Sequence, residues 1–337
     1  MIWLTWRQHR KQVLYTAIGL VALGAVMLPT GLSMHHVFND SGLAACLSKL
    51  GTSQVISGNA DTCDDQFGQF SRQFSSMGFL AILFLLLPML VGVFFGAPLV
   101  AREVEQGTHR FAWTQTVSRR RWAVAKFGLI AAVTLVFSTI YSLAMDWWSG
   151  PLMANSGRMG PLIFDFEGIA PIGYTLFAVA LGIFAGTLWK KVLPAMVATL
   201  VGFIVVRVLI ETLARPRYMS PLTASLPVDS SNQFNGDSGA WIYGNGVVNG
   251  AGKLVLPNSS IGCGSNGNIA VSGAVPDNVD PCGGLVSQGL GPGPFFNSTR
   301  YQPAGRFWEF QGIETGIFLA LAAILIYFAI RRLSRIG

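Results

Sequence analysis

Apolar residues arrive in blocks along this chain. Six stretches, roughly Val13–His35, Met77–Val100, Trp122–Trp147, Gly168–Leu188, Val192–Leu213 and Gly312–Ile330, are apolar-dominated. Each holds about 20 such residues, enough for a helix rising 1.5 Å per residue to cross a hydrocarbon core of about 30 Å. Helices are expected because every backbone amide in such a stretch must find its partner inside the segment. The polar intervals are uneven. Residues 36–76 read as a polar loop, 101–121 as a charged loop, 148–167 as a shorter connection with Gly150, Pro151, Gly157 and Gly160, and "WKK" at 189–191 as a tight turn. Pro194, just inside the fifth stretch, suits an early helix position. The pattern predicts an all-α polytopic membrane protein with six transmembrane helices.

The longest polar interval, 214–311, has a different texture. Runs such as "AWIYG", "GKLVLP" and "NIAVSG" are short, β-like and broken by Gly, Asn, Ser and Pro. They predict a Gly-rich lid containing short β-strands. Beyond it Phe307, Trp308 and Phe310 suit a membrane interface. The expected organisation is residues 1–213 for an amphipathic N-terminal segment and spans 1–5, 214–311 for the lid, and 312–337 for span 6 and a tail. "MIWLTWRQHRKQ" mixes Trp3 and Trp6 with Arg7, Arg10 and Lys11, which predicts an in-plane helix at the headgroups, or a plain basic flank.

Composition agrees with this class. The 337 residues are 51% hydrophobic and 12% charged, about half the charge of a soluble domain. The net charge of +7 raises nucleic acid as a partner, but the basic residues sit beside the apolar blocks and form no single patch. Fourteen of the 23 Lys and Arg fall at the N-terminus, in 101–126, at 190–191 and in the tail. The positive-inside rule therefore puts both termini and the 101–121 loop in the cytoplasm. Cys46, Cys63, Cys263 and Cys282 then fall on the outer side, where disulfides persist. Local pairing, Cys46–Cys63 and Cys263–Cys282, closes the shortest loops of the three possible arrangements.

Little catalytic chemistry is legible. "VVNGAGKL" lacks the glycine and the hydroxyl of a P-loop, having Val247 and Leu254 in their places. Adjacent His35 and His36 diverge by about 100° on a helix and make a poor metal pair. Gly92/Gly96 and Gly182/Gly186 are GxxxG pairs suited to close helix packing inside the chain, or to a dimer contact. Asp146, Arg207, Glu211 and Glu314 lie near the outer ends of spans and are candidates for a substrate path, Arg207 and Glu211 being placed to pair on one helix face. Simple anchoring at the interface is the plainer role for all four.

The loop 101–127, "AREVEQGTHRFAWTQTVSRRRWAVAKF", carries eight charged residues between two oily spans. "AREVEQ" can prolong span 2, Gly107 can break it, and "HRFAWTQTVS" offers a short, partly apolar helix. Phe111, Ala112, Trp113 and Val117 would be costly facing water alone and suit another protein's groove. The Arg119–Arg121 run suits anionic headgroups.

At these residues the chain resembles the membrane subunits of ABC-2-type exporters. The resemblance rests on Glu105–Gln106–Gly107–Thr108 after span 2, on Val117–Ser118–Arg119, and on Lys126 entering span 3. The six-span order, the amphipathic N-terminus and the large insertion before span 6 extend it. It implies that Glu103, Glu105, Gly107, Thr108, Arg110, Phe111 and Trp113 form a coupling element seated on a separate ABC ATP-binding subunit, which would hold ATP and Mg; no cofactor is expected in this chain. It also implies a second permease copy or a homologue as partner, besides membrane lipids. The expected activity is ATP-driven export of an amphipathic or lipophilic substrate, the chain itself being no enzyme. A membrane-embedded sensor or immunity protein is the alternative from another class. A secondary transporter is disfavoured because no ionisable pair falls at mid-membrane.

Overall fold

The computed structural model describes residues 2–50, 55–56, 61–105, 119–154, 158–189, 191–228, 233–234, 239–263, 269–273 and 294–335. Among them six helices are long and apolar enough to cross a membrane: Val21–Asp40, Met77–Arg102, Ala123–Met153, Ala170–Trp189, Val192–Arg217 and Ala304–Leu333. These are spans 1 to 6, in the expected order. They run up and down, so one end of the bundle carries the 101–121 loop (the loop end) and the other carries the lid (the lid end).

Span 4 is the axis. In its most apolar window 67% of residues are buried, against 17–33% in the other five spans. Spans 2, 3, 5 and 6 pack around it. The two GxxxG pairs make the closest of these contacts possible. A Cβ on Gly182 would sit 2.5 Å from the Ala97 nitrogen and 2.6 Å from the Gly92 oxygen. Those on Gly92 and Gly96 would meet the backbone oxygens of Ala178 and Val179 at 2.6 and 2.7 Å. Both pairs thus serve packing of span 2 on span 4 within the chain. Span 2 answers with a π-turn at Gly92–Gly96 and then continues as a helix from Ala97 to Glu105.

Span 1 belongs to one uninterrupted helix, Ile2–Asp40. No break divides residues 2–12, expected as an in-plane helix or a plain basic flank, from the span. Span 1 packs chiefly on span 3, with Gly31 under Trp147 and Trp148, and with the Trp148 indole donating to Thr30 Oγ1 at 3.0 Å. The interval 36–76 is also corrected. It is mostly helical, with Leu43–Leu50 and Asp61–Gln73, because Leu43, Phe70 and Phe74 bury themselves against Met34, Met145 and Trp148 of spans 1 and 3.

The lid holds a four-stranded antiparallel sheet in the order β2 (Leu222–Pro227), β8 (Phe296–Gln302), β4 (Trp241–Val248), β5 (Leu254–Pro257). A hairpin of β6 (Ser260–Cys263) and β7 (Ile269–Ser272) stands beside it. The runs "AWIYG", "GKLVLP" and "NIAVSG" fall on β4, β5 and β7. The short strands β1 (Val55–Ile56) and β3 (Gln233–Phe234) pair and tie the 41–76 segment to the lid. Val228, Val247, Leu256, Ile261 and Phe295 form the lid's own core.

Candidate functional site: a buried ion cluster at the lid end

The connection between spans 3 and 4 does not pass over the bundle. It folds into it, with a short helix at Pro161–Phe164 and buried Ile163, Phe164 and Phe166. This carries Asp165 inward, where its side chain is 3% exposed. Two arginines of span 5 and Glu314 of span 6 meet it there. Arg215 donates from Nε to Glu314 Oε2 at 2.8 Å and from Nη2 to Glu314 Oε1 at 2.7 Å and Asp165 Oδ1 at 2.6 Å. Its guanidinium lies over the Phe164 ring, 4.4 Å from the centroid. Arg207 donates from Nη1 to Glu314 Oε1 at 3.1 Å and from Nη2 to Asp165 Oδ2. It is stacked on the Tyr174 ring at 3.9 Å. The Tyr174 hydroxyl lies 2.7 Å from Glu314 Oε1 and 3.1 Å from Asp165 Oδ1; its single proton serves one of them at a time.

Two guanidinium cations face two carboxylates, so the cluster is neutral as a whole. Arg215 and Glu314 are 1% and 0% exposed, and an unpaired charge at that depth would be lost by neutralisation or unfolding. Both carboxylates accept from two arginines, which fills most of their lone-pair sites. Tyr218, just past span 5, reaches Glu314 Oε2 at 3.4 Å. Burial, and then the Glu314 charge, push its phenol above the ordinary tyrosine range, so it remains a donor.

A second layer fixes the inserted segment. Gly168, at φ +73°, turns the chain so that its N–H donates to Asp146 Oδ1 at 2.9 Å and its carbonyl accepts from Ser142. A side chain there would also collide with Gln311, 2.9 Å from the ideal Cβ. Gln311 of span 6 accepts from the Ala170 N–H at 2.7 Å and donates to the Phe164 carbonyl at 2.9 Å. Arg158 pairs with buried Glu167 at 2.7 Å and covers the Phe307 ring at 4.6 Å.

Of the four residues expected on a substrate path, Arg207 and Glu314 come together, Asp146 holds the adjoining turn, and Glu211 stands outside the cluster. The expected Arg207–Glu211 pair is corrected: Arg207 takes Asp165 and Glu314 instead. A π-turn at Ile210–Ala214 brings Arg215 to the same face. Arg207 and Arg215 are eight positions apart, which on an α-helix is about 80° off one face. The π-turn absorbs one residue, and an effective spacing of seven brings them within about 20°. Asp165, Arg215, Tyr174 and Tyr218 were not singled out from sequence. "FDFEG" and "ARPR", charges abutting apolar spans, carried the signal.

At the loop end, Glu105 Oε2 accepts from the Val192 N–H at 3.1 Å. Lys191 is the helix cap and gives no side-chain bond, so Glu105 satisfies one of the open donors at the start of span 5. Glu103 lies on the same helix end, its side chain outside those described. Gly107, Thr108, Arg110, Phe111 and Trp113 fall outside the described residues. No described cysteine is free, and Cys46 is disulfide-bonded; the side chains of Cys63 and Cys263, and the whole of Cys282, lie outside those described. No group of three or more His, Cys, Asp or Glu suited to a metal occurs among the described residues.

A family model described as ABC-2 membrane transporter related matches residues 17–215. No curated protein and no solved structure matches the chain.

Proposed function

The chain belongs to the ABC-2 membrane transporter related family, and from that premise we propose that it is the permease subunit of an ATP-driven exporter. It is a multi-pass membrane protein without an ATPase motif of its own. ATP and Mg belong to a separate ATP-binding subunit, and the substrate is amphipathic or lipophilic. A second copy or a homologue completes the membrane part, and both termini are cytoplasmic. The outer cysteines pair locally, Cys46 with Cys63 and Cys263 with Cys282. The residues at the outer ends, Asp146, Arg207, Glu211 and Glu314, flank the exit.

The observation that carries this reading is the mounting of the 101–121 loop. Span 2 runs on as a helix to Glu105, and span 3 begins as a helix at Arg119. Two stiff stems thus hold the loop, and Glu105 bonds one of them to the first amide of span 5. A push on the loop reaches spans 2, 3 and 5 together, which is the linkage a power stroke from outside the membrane needs. In this reading Phe111 and Trp113 are the apolar anchors on the ATPase, with Glu103, Arg110 and Thr108 around them and Gly107 ending the first stem. A buried aromatic anchor often costs about 2 kcal/mol or more when truncated. The test is co-purification of the ATP-binding subunit with the Phe111→Ala/Trp113→Ala variant, together with transport-coupled hydrolysis in proteoliposomes. The expected result is loss of co-purification by about 30-fold, with membrane insertion unchanged. Wild-type capture and coupling in that variant would overturn the reading.

A further inference from the structure

The lid's composition, with its Gly, Asn and Ser, suggests a cover hinged on two loose stems. The geometry of those stems is different. The chain leaves span 5 through Arg215–Arg217 and reaches β2 at Leu222; it returns from β8 at Gln302 and starts the next helical turn at Ala304. The strands β2 and β8 are neighbours, paired continuously from Leu222↔Tyr301 to Pro227↔Phe296. Below that ladder the stems bond to each other. Gln302 Nε2 donates to the Met219 carbonyl at 2.7 Å, and Arg306 Nη1 donates to the Ser220 carbonyl at 2.7 Å and to Gln302 Oε1 at 2.6 Å. Lower still come Tyr218 on Glu314, and Arg215 on Glu314 and Asp165. The zip from buried ions to sheet has no free turn in it.

Two further ties lie outside the stems. The Met159 N–H of the inserted segment donates to the Gly239 carbonyl of the lid at 3.2 Å. Trp241, the first residue of β4, packs on the same core as Phe164, Phe307 and Phe310. We propose that the ion cluster is a permanent clamp: lid, inserted segment and spans 4, 5 and 6 form one rigid body at the outer end. Neutrality argues for a clamp over an ion-binding site, since each guanidinium is matched and no charge is left over for a ligand. The consequence, which rests on the transport reading, is that an opening of the outer end carries the lid along with these spans and does not lift it off them.

The clamp itself can be tested without any partner, by amide hydrogen exchange on the purified full-length chain in detergent micelles. The hydrogen-bonded stem amides, Tyr218 on the Arg215 carbonyl and Arg306 on the Pro303 carbonyl, should exchange as slowly as the β2–β8 ladder and the outer turns of spans 5 and 6, within about tenfold. Arg215→Met should speed exchange in stems and outer turns together, by about tenfold or more. A lid-core variant, Val247→Ala, should speed the lid's amides alone. Should Arg215→Met fail to accumulate, the Gln302→Ala/Arg306→Ala variant, outside the buried cluster, should still speed the stems. Tyr218 and Arg306 amides that exchange at unprotected rates in the wild type, while ladder and spans stay protected, would mean a hinge and overturn the proposal. Stem rates unchanged by Gln302→Ala/Arg306→Ala would do the same. Neither outcome bears on whether an ATPase binds the loop, so the clamp and the permease reading stand or fall separately.

Discussion

Arg215 shows how much one residue can hold. It bonds both acids of the cluster and the Pro161 carbonyl, and it is 1% exposed. Replacing it by methionine keeps much of the stem but leaves two buried carboxylates facing one cation. Breaking a buried pair in this way typically costs about 3–5 kcal/mol. Arg215→Met should therefore lower the thermal midpoint of the detergent-solubilised protein steeply. Part of that loss comes from the orphaned charge and not from the missing contacts. Arg215→Met/Asp165→Asn restores neutrality, leaving Arg207 with Glu314, and should recover a measurable share of the midpoint. A double variant no more stable than the single one would show that contacts, and not charge, dominate. Arg215→Lys should rank with Arg215→Met more than with the wild type, since one ammonium cannot replace three donors spread over a planar fork.

Among the elements, helices declared themselves through composition and their special turns did not. Twenty-odd apolar residues in a row admit only one solution in hydrocarbon, so all six spans were legible. The ion cluster was not, because Asp165 and Glu314 come to Arg207 from other elements, and Arg215 joins its face only through a single extra residue in the π-turn at Ile210–Ala214, whereas α-periodicity offers Arg207 only Glu211. The inserted connection was equally hidden. Its Asp165 and Glu167 look like loop acids until the apolar Ile163, Phe164 and Phe166 around them are seen to be buried. In the lid, β4, β5 and β7 were readable from short apolar runs. The strands β2, "LTASLP", and β8, "FNSTRYQ", were not, because half-polar sequences become strands there through pairing with each other and with β4. The π-turn makes its own prediction. Thr212 is exposed and bonds only its own helix, at the Val208 carbonyl. Deleting it should turn the π-turn into α-helix while both arginines stay on one face. This deletion should be tolerated, with a midpoint far closer to wild type than that of Arg215→Met. The two glycine pairs predict the opposite sensitivity. Gly182→Val must drive spans 2 and 4 apart and should cost about 1–3 kcal/mol or more. Gly24→Ala, with no atom within 4 Å of its ideal Cβ, should be neutral or stabilising. Equal midpoints for the two glycine variants would refute the close packing of span 2 on span 4.

Across the whole molecule the two polar centres sit at opposite ends of one scaffold. Span 4 begins beside Asp165 and Glu314 through Tyr174 and ends beside the turn where Glu105 meets Val192. Between them it is close-packed against span 2 through Gly92, Gly96, Gly182 and Gly186, an arrangement with little slack to absorb a displacement. A movement of the loop's first stem is then passed to span 4 along the whole glycine contact and to span 5 directly through Glu105. The two routes can be separated by substitution. Glu105→Ala removes the bond to Val192 and leaves Phe111 and Trp113 in place. A hydrogen bond at an exposed site such as this one contributes about 0.5–1.5 kcal/mol. Its loss should loosen span 5 from the stem without detaching the ATPase. The expected phenotype is therefore split: the ATP-binding subunit co-purifies as with the wild type, hydrolysis persists, and its coupling to transport in proteoliposomes falls by about 3- to 10-fold. Phe111→Ala/Trp113→Ala should instead lose the subunit itself. If Glu105→Ala transported at the wild-type rate per ATP, span 4 alone would be the route from loop end to lid end. If it lost the subunit as the double variant does, Glu105 would belong to the docking surface and not to the linkage behind it.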